Sequence, residues 1–212
     1  MAKKVSDAFE EKQIVADILA GDQQAFRNLI EQYQNLVSHI VFRMISHQVD
    51  REELCQEIFI KVYRNLASFK FQSKLSTWVG RIAYHACINF LKKKRIPLLD
   101  DLAKEYGADH HERNKADFGA NSLADHAVTA IPEQERALAS HELRTMLERE
   151  ITNLPAQYRA LITLFHVEEM SLKEIAEIMD MPEGTIKNYL FRARRVLKER
   201  LMEKYQIEDL LV

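Results

Sequence analysis

The stretch SLKEIAEIMDMPEGTIKNYLFRARR, residues 171–195, decides the fold. Ser171 followed by Glu174 has the form of a capping box, in which hydroxyl and carboxylate each accept from a backbone N–H that the helix start leaves unpaired. Leu172, Ile175, Ala176 and Met179 then recur at helical spacing. The helix must stop at Asp180-Met181, because the residue before a proline avoids the helical region. Pro182 suits the opening position of a second helix. There, Ile186, Leu190, Ala193, Leu197 and Leu201 form a narrow apolar seam, with Gly184, Lys187, Asn188, Phe191, Arg192, Arg195 and Lys198 on the opposite arc. Two short-linked helices, the second basic on its outer face, predict a helix-turn-helix. A plain helical hairpin would need no such run of cations, so the pattern favours a nucleic-acid partner.

Outward from that stretch, helical periodicity runs over roughly 8–95 and 136–204, and no period-2 strand is convincing. Between the two blocks Pro97, Gly107, Gly119 and Pro132 punctuate a polar run from Asp100 to Glu133. The expected fold class is all-α: two small helical domains, 1–95 and 136–212, joined by a flexible acidic linker, 96–135, with room for a short helix of its own. The overall charge of −2 hides this division. Residues 1–95 hold 15 Lys/Arg and 10 Asp/Glu, residues 96–135 hold 3 and 9, and residues 136–212 hold 12 and 13. Cations concentrate in 81–95 and 187–204, and that distribution carries more than the net value. With 47% apolar residues in a chain of 212, there is enough to bury a core. No run approaches the ~20 apolar residues of a membrane span. The charged first twenty residues do not read as a signal peptide. Two distant cysteines, Cys55 and Cys87, make no disulfide framework. A cytoplasmic chain without membrane insertion is expected.

In the first block, Gly21 can end a helix and Asp22 can cap the next, through Ala25, Phe26, Leu29, Ile30 and Tyr33. A helix through Leu36, Ile40 and Met44 follows. Asp50 with Glu53 reads as a variant capping box opening a helix to Leu66. On it Leu54, Cys55, Ile58, Phe59, Val62 and Leu66 share the core arc. Glu53, Gln56, Glu57, Ile60 and Arg64 lie opposite. Ile60 is either an ordinary exposed apolar side chain or the centre of a docking face for a basic, partly apolar helix. Residues 67–76 read as a loop, in which Phe69 and Phe71 alternate with Lys70 and Lys74. The last helix of the block begins near Ser76 or Thr77. Its core arc is Val79, Ile82, Ala83, Ala86, Cys87 and Phe90, and its outer stripe is Arg81, His85, Asn89 and Lys92, with Trp78 at the edge. Cations, an amide, an imidazole and aromatics together suit phosphates and an unstacked base; a merely solvated face is the alternative.

Taken together these segments resemble an RNA polymerase sigma factor of the extracytoplasmic-function, or group 4, type within the sigma-70-like family. The marks are Gly-Asp-Gln-Gln-Ala-Phe at 21–26, Asp50-x-x-x-Leu54-x-Gln56-Glu57-x-Phe59-x-x-Val62-Tyr63 and Thr77-Trp78-x-x-Arg81-Ile82-Ala83. Leu154-Pro155, Ser171-x-x-Glu174-Ile175-Ala176 and Pro182-Glu183-Gly184-Thr185-Ile186-Lys187-x-x-Leu190-x-Arg192-Ala193-Arg194 complete the order. The resemblance implies sigma domain two up to about 95 and sigma domain four from about 136. It implies that Asp50, Glu53, Gln56, Glu57 and Ile60 meet the clamp helices of the polymerase β′ subunit, with the β flap a second polymerase contact. It further implies that Phe69, Lys70, Phe71, Lys74, Thr77, Trp78, Arg81, His85, Asn89 and Lys92 melt and hold the −10 element. The −35 element would be read by Ser171, Glu183, Gly184, Thr185, Lys187, Asn188, Arg192, Arg195 and Lys198. The family commonly carries Asn where His85 stands here, which bears on −10 base preference. An anti-sigma factor is a further partner of such proteins, and the nucleoid is where they act.

The expected role is non-enzymatic, without cofactor or metal. Histidines at 39, 47, 85, 110, 111, 126, 141 and 166 are scattered, and no glycine-rich phosphate loop or nucleophile signature is present. The competing function is a helix-turn-helix regulator that acts without docking on core polymerase; it leaves the 50–66 face and the aromatic loop without a use.

Overall fold

The computed structural model describes residues 2–94, 96, 98 and 144–204, with side chains from residue 10 onward. Helix α1 spans Ala2–Leu19, α2 Gln23–Met44, α3 Gln48–Asn65 and α4 Leu75–Lys93. A single 3-10 turn, Leu66–Ser68, follows α3. The second half contains α5 (144–152), α6 Ala156–His166, α7 Leu172–Met179 and α8 Glu183–Lys204. No strand occurs among the described residues. Most of the acidic connector and the apolar tip Ile207–Val212 lie outside them.

Local chemistry sets most boundaries. Gly21 takes φ +96°, a left-handed conformation open to glycine at little cost, and so ends the first helix. Asp22 then caps α2, its carboxylate accepting from the N–H groups of Gln24 at 2.7 Å and Ala25 at 3.2 Å. The start of α3 departs from expectation. Its cap is His47, which makes no side-chain cap bond, and Asp50 sits within the first turn. The Asp50 carboxylate instead pairs with the Lys94 ammonium at 2.7 Å, tying the start of α3 to the end of α4. Opposed charge from the end of α4 has displaced the local cap. Helix α4 likewise begins at Leu75, a residue earlier than the Ser76 or Thr77 start.

In the first half α2 packs against α1, α3 and α4, and α3 against α4. Leu29, Val37, Ile40, Ile58, Val62, Val79, Ala83 and Cys87 are all fully buried. In the second half α6, α7 and α8 pack on one another through Leu161, Leu164, Ile175, Ile186, Leu190 and Ala193. Each fully buried aliphatic side chain is worth about 1.5–3 kcal/mol against leaving it in water. The two halves also pack together, α2 on α6 and α4 on α7, so their buried residues form one continuous cluster. Helix α4 shows the effect. Besides its expected core arc, Gly80, Tyr84, Ile88 and Leu91 are buried, a second arc that a single amphipathic period does not reveal.

Candidate nucleic-acid and polymerase interfaces

Helix α3 presents Glu53, Gln56, Glu57 and Ile60 to solvent in one stripe, with Ile60 at 50% exposure. Asp50 is half-buried and occupied by Lys94, so it sits at the edge of this face. Glu57 is bridged to Lys61 at 2.8 Å, a weak exposed pair that a partner can displace. Tyr63, 51% exposed and stacked edge-on against Phe26 with centroids 4.9 Å apart, extends the apolar strip. Sequence reasoning missed it, although three residues beyond Ile60 places it on the same side of a helix. Beside it lies a cavity of about 370 Å³ lined by Asp22, Phe26, Arg27, Ile30 and Tyr63.

The loop before α4 divides its aromatics. Phe69 is core, 6% exposed, packed between Trp78 (5.2 Å between centroids) and Phe71 (4.6 Å). Phe71 is held at φ +56°, a strained conformation for a bulky residue, and stands 40% exposed with the Lys12 ammonium 5.9 Å from its ring centre. Lys70 and Lys74 are exposed and Trp78 is half-buried. Thr77 is buried, its Oγ1 without a hydrogen-bond partner among the described residues. Phe69 and Thr77 thus shape the loop from below, while Phe71, Lys70, Lys74 and Trp78 reach its surface.

Along α4, Arg81, Asn89 and Lys92 are exposed and His85 is half-buried. Burial, then the nearby Arg81 and Lys92 cations, push the His85 pKa down against the pull of Asp180, so the imidazole is neutral near pH 7. Its Nε2 is buried and unpaired among the described residues. A neutral ring with an unused nitrogen can accept from, or donate to, a base edge.

The helix-turn-helix forms as its spacing predicts. Ser171 caps α7, its hydroxyl accepting from Glu174 N–H at 3.3 Å, while the Glu174 carboxylate accepts from Ser171 N–H at 2.9 Å and from its hydroxyl at 2.7 Å. Burial raises the Glu174 carboxyl, but the Lys74 ammonium and both Ser171 donors pull it down to about 2. Asp180 ends α7 in the left-handed conformation (φ 58°, ψ 46°). On α8, Glu183, Gly184, Lys187, Asn188, Arg195 and Lys198 are exposed, and Thr185 and Arg192 are half-buried at the edges. Phe191 stands among them 51% exposed. Lys187 and Arg195 are held along the helix by Glu183 at 3.1 Å and Glu199 at 2.9 Å, pairs that cost little to exchange for phosphate. Ser171 is committed to its cap, so it serves the helix start first.

The family profile for sigma-70 region 2 matches residues 29–96, and that for sigma-70, region 4 matches 144–197. The ECF RNA polymerase sigma-E factor of Escherichia coli K12 is 34% identical over 199 residues, covering 93% of this chain and 97% of its own. The chain belongs to the sigma-70 family, on its ECF branch. Another relative is the ECF sigma factor SigW of Bacillus subtilis 168, 31% identical across 91% of this chain and 97% of the relative. Among solved structures, CnrH in complex with the cytosolic domain of CnrY shares the fold at a TM-score of 0.57 and 16% identity, covering 91% and 97% of the two chains. The sigma factor RpoE of Bartonella quintana, solved with the anti-sigma factor NepR, does so at 0.54 and 20%, covering 85% and 98%. As an ECF sigma factor, this protein directs promoter-specific transcription with core RNA polymerase. No helix among the described residues is long and apolar enough to cross a membrane.

Proposed function

We propose that this sigma factor docks on the β′ clamp helices through Glu53, Gln56, Glu57 and Ile60, with Asp50 buttressing the face. Residues 1–95 act as domain two, 96–135 as the linker and 136–212 as domain four, which also meets the β flap. Lys70, Phe71, Lys74, Trp78, Arg81, His85, Asn89 and Lys92 hold the melted −10 strand, with Phe69 and Thr77 shaping the loop from beneath. Glu183, Gly184, Thr185, Lys187, Asn188, Arg192, Arg195 and Lys198 read the −35 duplex, dividing base edges and phosphates between them. The sigma factor supplies position and strand capture, and the chemistry of RNA synthesis belongs to the polymerase. It works in the cytoplasm, on the nucleoid when active. Because RpoE of B. quintana was solved with an anti-sigma factor, a partner of that kind is proposed here too.

The observation that carries this reading is the acidic, Ile60-centred face of α3 on the same chain as an exposed basic recognition helix. A regulator binding DNA alone leaves that face without a use. The test is run-off transcription by purified core polymerase on pooled genomic promoters, with wild type and Glu57→Arg. Discrete new start sites that weaken about five- to thirtyfold with Glu57→Arg are expected, because charge reversal on a docking face costs on the order of 1–2 kcal/mol. Start sites indifferent to that change would move the docking face elsewhere.

A further inference from the structure

No residue of α1 belongs to the docking face or to either DNA-reading set, yet α1 lies against the loop that carries Phe71. It packs on α2 and on the 3-10 turn that leads into this loop. Val15 and Ile18, 3% and 2% exposed, seat it in the core. Glu11 precedes them at helical spacing and stands on the same inward face. Its Oε1 accepts from the N–H of Leu75, the first residue of α4, at 3.3 Å. Beside it, the Lys12 ammonium is 5.9 Å from the centre of the Phe71 ring. Burial, then the Glu11 carboxylate, hold the Tyr33 hydroxyl of α2 above its ordinary range. Glu11 therefore sits where α1, α2 and the start of α4 meet.

We propose that Glu11 is a positioning residue for −10 strand capture: from α1 it caps α4 across the fold and, with Lys12, holds Phe71 in the pose that meets an unstacked base. The inference rests on the function proposed above. A helix start leaves backbone N–H groups without intrahelical partners, and a carboxylate there also faces the positive end of the helix dipole. The cap position of α4 supplies no such acceptor. Lys74 occupies it and makes no side-chain cap bond, since an ammonium has only donors to offer. Glu11, 64 positions upstream, takes that part instead.

Fixing the start of α4 fixes the loop that precedes it. Residues 69–74 are anchored at one end by Phe69, packed in the core against Trp78, and at the other by Leu75, whose side chain is fully buried. Between these anchors Phe71 takes φ +56°, a conformation that a bulky residue keeps only where its surroundings enforce it. Phe69, 4.6 Å away between ring centroids, and Lys12 supply those surroundings. A ring that is already exposed and held in place can stack on a base with little further ordering cost. The tip and the end of the loop thus depend on two adjacent residues of one turn of α1. Without them the loop keeps its aromatics and cations but loses the pose that presents them.

The test measures binding of the holoenzyme, full-length sigma on core polymerase, to two DNA probes built from a promoter mapped in the run-off assay. One is a fork whose −10 bases are single-stranded, and the other is the −35 duplex alone. Glu11→Met removes the acceptor at similar length, whereas Glu11→Gln keeps an oxygen that can accept from the Leu75 N–H. Glu11→Met should bind the fork about fivefold more weakly, the size of a lost helix cap, with unchanged affinity for the −35 duplex and for core polymerase. Glu11→Gln should recover most of that loss, and in a Phe71→Leu background Glu11→Met should cost nothing more. Lys12→Gln, at an exposed site, keeps the test valid where Glu11→Met does not fold, with a loss of about twofold on the fork. Acrylamide quenching of Trp78, the only tryptophan, reads the loop in the free protein; it should rise in Glu11→Met and return in Glu11→Gln. Wild-type fork affinity or unchanged quenching in folded Glu11→Met, an equal loss on the −35 duplex, or an additive loss beside Phe71→Leu would each overturn the positioning role. If wild-type holoenzyme shows no preference for the fork over the duplex while Trp78 quenching behaves as stated, the proposed function fails and the hold of α1 on the loop stands.

Discussion

Arg159 on α6 offers the sharpest probe of how the halves are joined. Its guanidinium donates to four backbone carbonyls: Leu154 O at 2.6 Å, Thr152 O at 3.0 Å, Met44 O at 3.3 Å and Arg43 O. Two of these close the turn between α5 and α6, and two are orphan carbonyls at the end of α2 that the helix itself cannot satisfy. Arg159→Met keeps the length and apolar stem of the side chain and removes every donor. Charge-assisted hydrogen bonds contribute about 1.5–3 kcal/mol each when dry, and less where water can replace the donor. The Thr152 contact is exposed and the others are half-buried, so a loss of about 2–4 kcal/mol is expected in total. Urea denaturation can follow both Trp78 fluorescence, the only tryptophan and confined to the first half, and helical ellipticity of the whole chain. In wild type the two transitions should coincide. In Arg159→Met the midpoints should fall and separate, as the halves lose their stitch. A change under about 0.5 kcal/mol, the scatter of ordinary surface substitutions, with coincident transitions, would refute the assignment of Arg159 as the link.

Two further outcomes follow from the site. Glu174 has its carboxyl depressed to about 2 by Lys74 and Ser171, so the native state binds its proton less readily than the unfolded chain. Its stabilisation is complete above about pH 4.5 and is lost as pH falls from there toward 2; Glu174→Gln should flatten that part of the acid-denaturation curve, and an unchanged curve would remove Glu174 from the account. Lys187→Gln on the exposed arc of α8 should weaken binding of promoter duplexes in the polymerase complex about equally across sequences and lower the salt slope by about 1; a change confined to one base position would make Lys187 a base reader.

How much of this was legible in the sequence depends on the range over which each feature is determined. Asp22, Gly21, Ser171 with Glu174, and Asp180 before Pro182 act within a few residues of themselves, and all sit where local rules place them. Asp50 fails the same rules because its partner, Lys94, lies 44 positions away. Helix α4 fails in a more instructive way. Its core arc and basic stripe were both readable, but Gly80 is met by Ile178 and Tyr84 by Gln157, 98 and 73 positions downstream. An amphipathic period reports one buried face, and a helix wedged between two neighbours has two. Phe69 was placed on the −10 surface by its alternation with lysines and Thr77 by resemblance alone, and the fold turns both side chains inward. The exposed face of α3 was visible because it depends only on helical periodicity, whereas Tyr63 was passed over as part of a motif.

The continuous core shared by the two halves has a consequence for the lifetime of the protein. Ile178 and Ile40 converge on the Cβ position of Gly80, and both are fully buried while the halves stay together. Separation without a partner leaves newly wetted apolar surface, the kind of feature that chaperones and proteases survey. A substitution that loosens this seam, such as Gly80→Leu, is therefore expected to be degraded faster than wild type, and a pulse-chase of the two measures it.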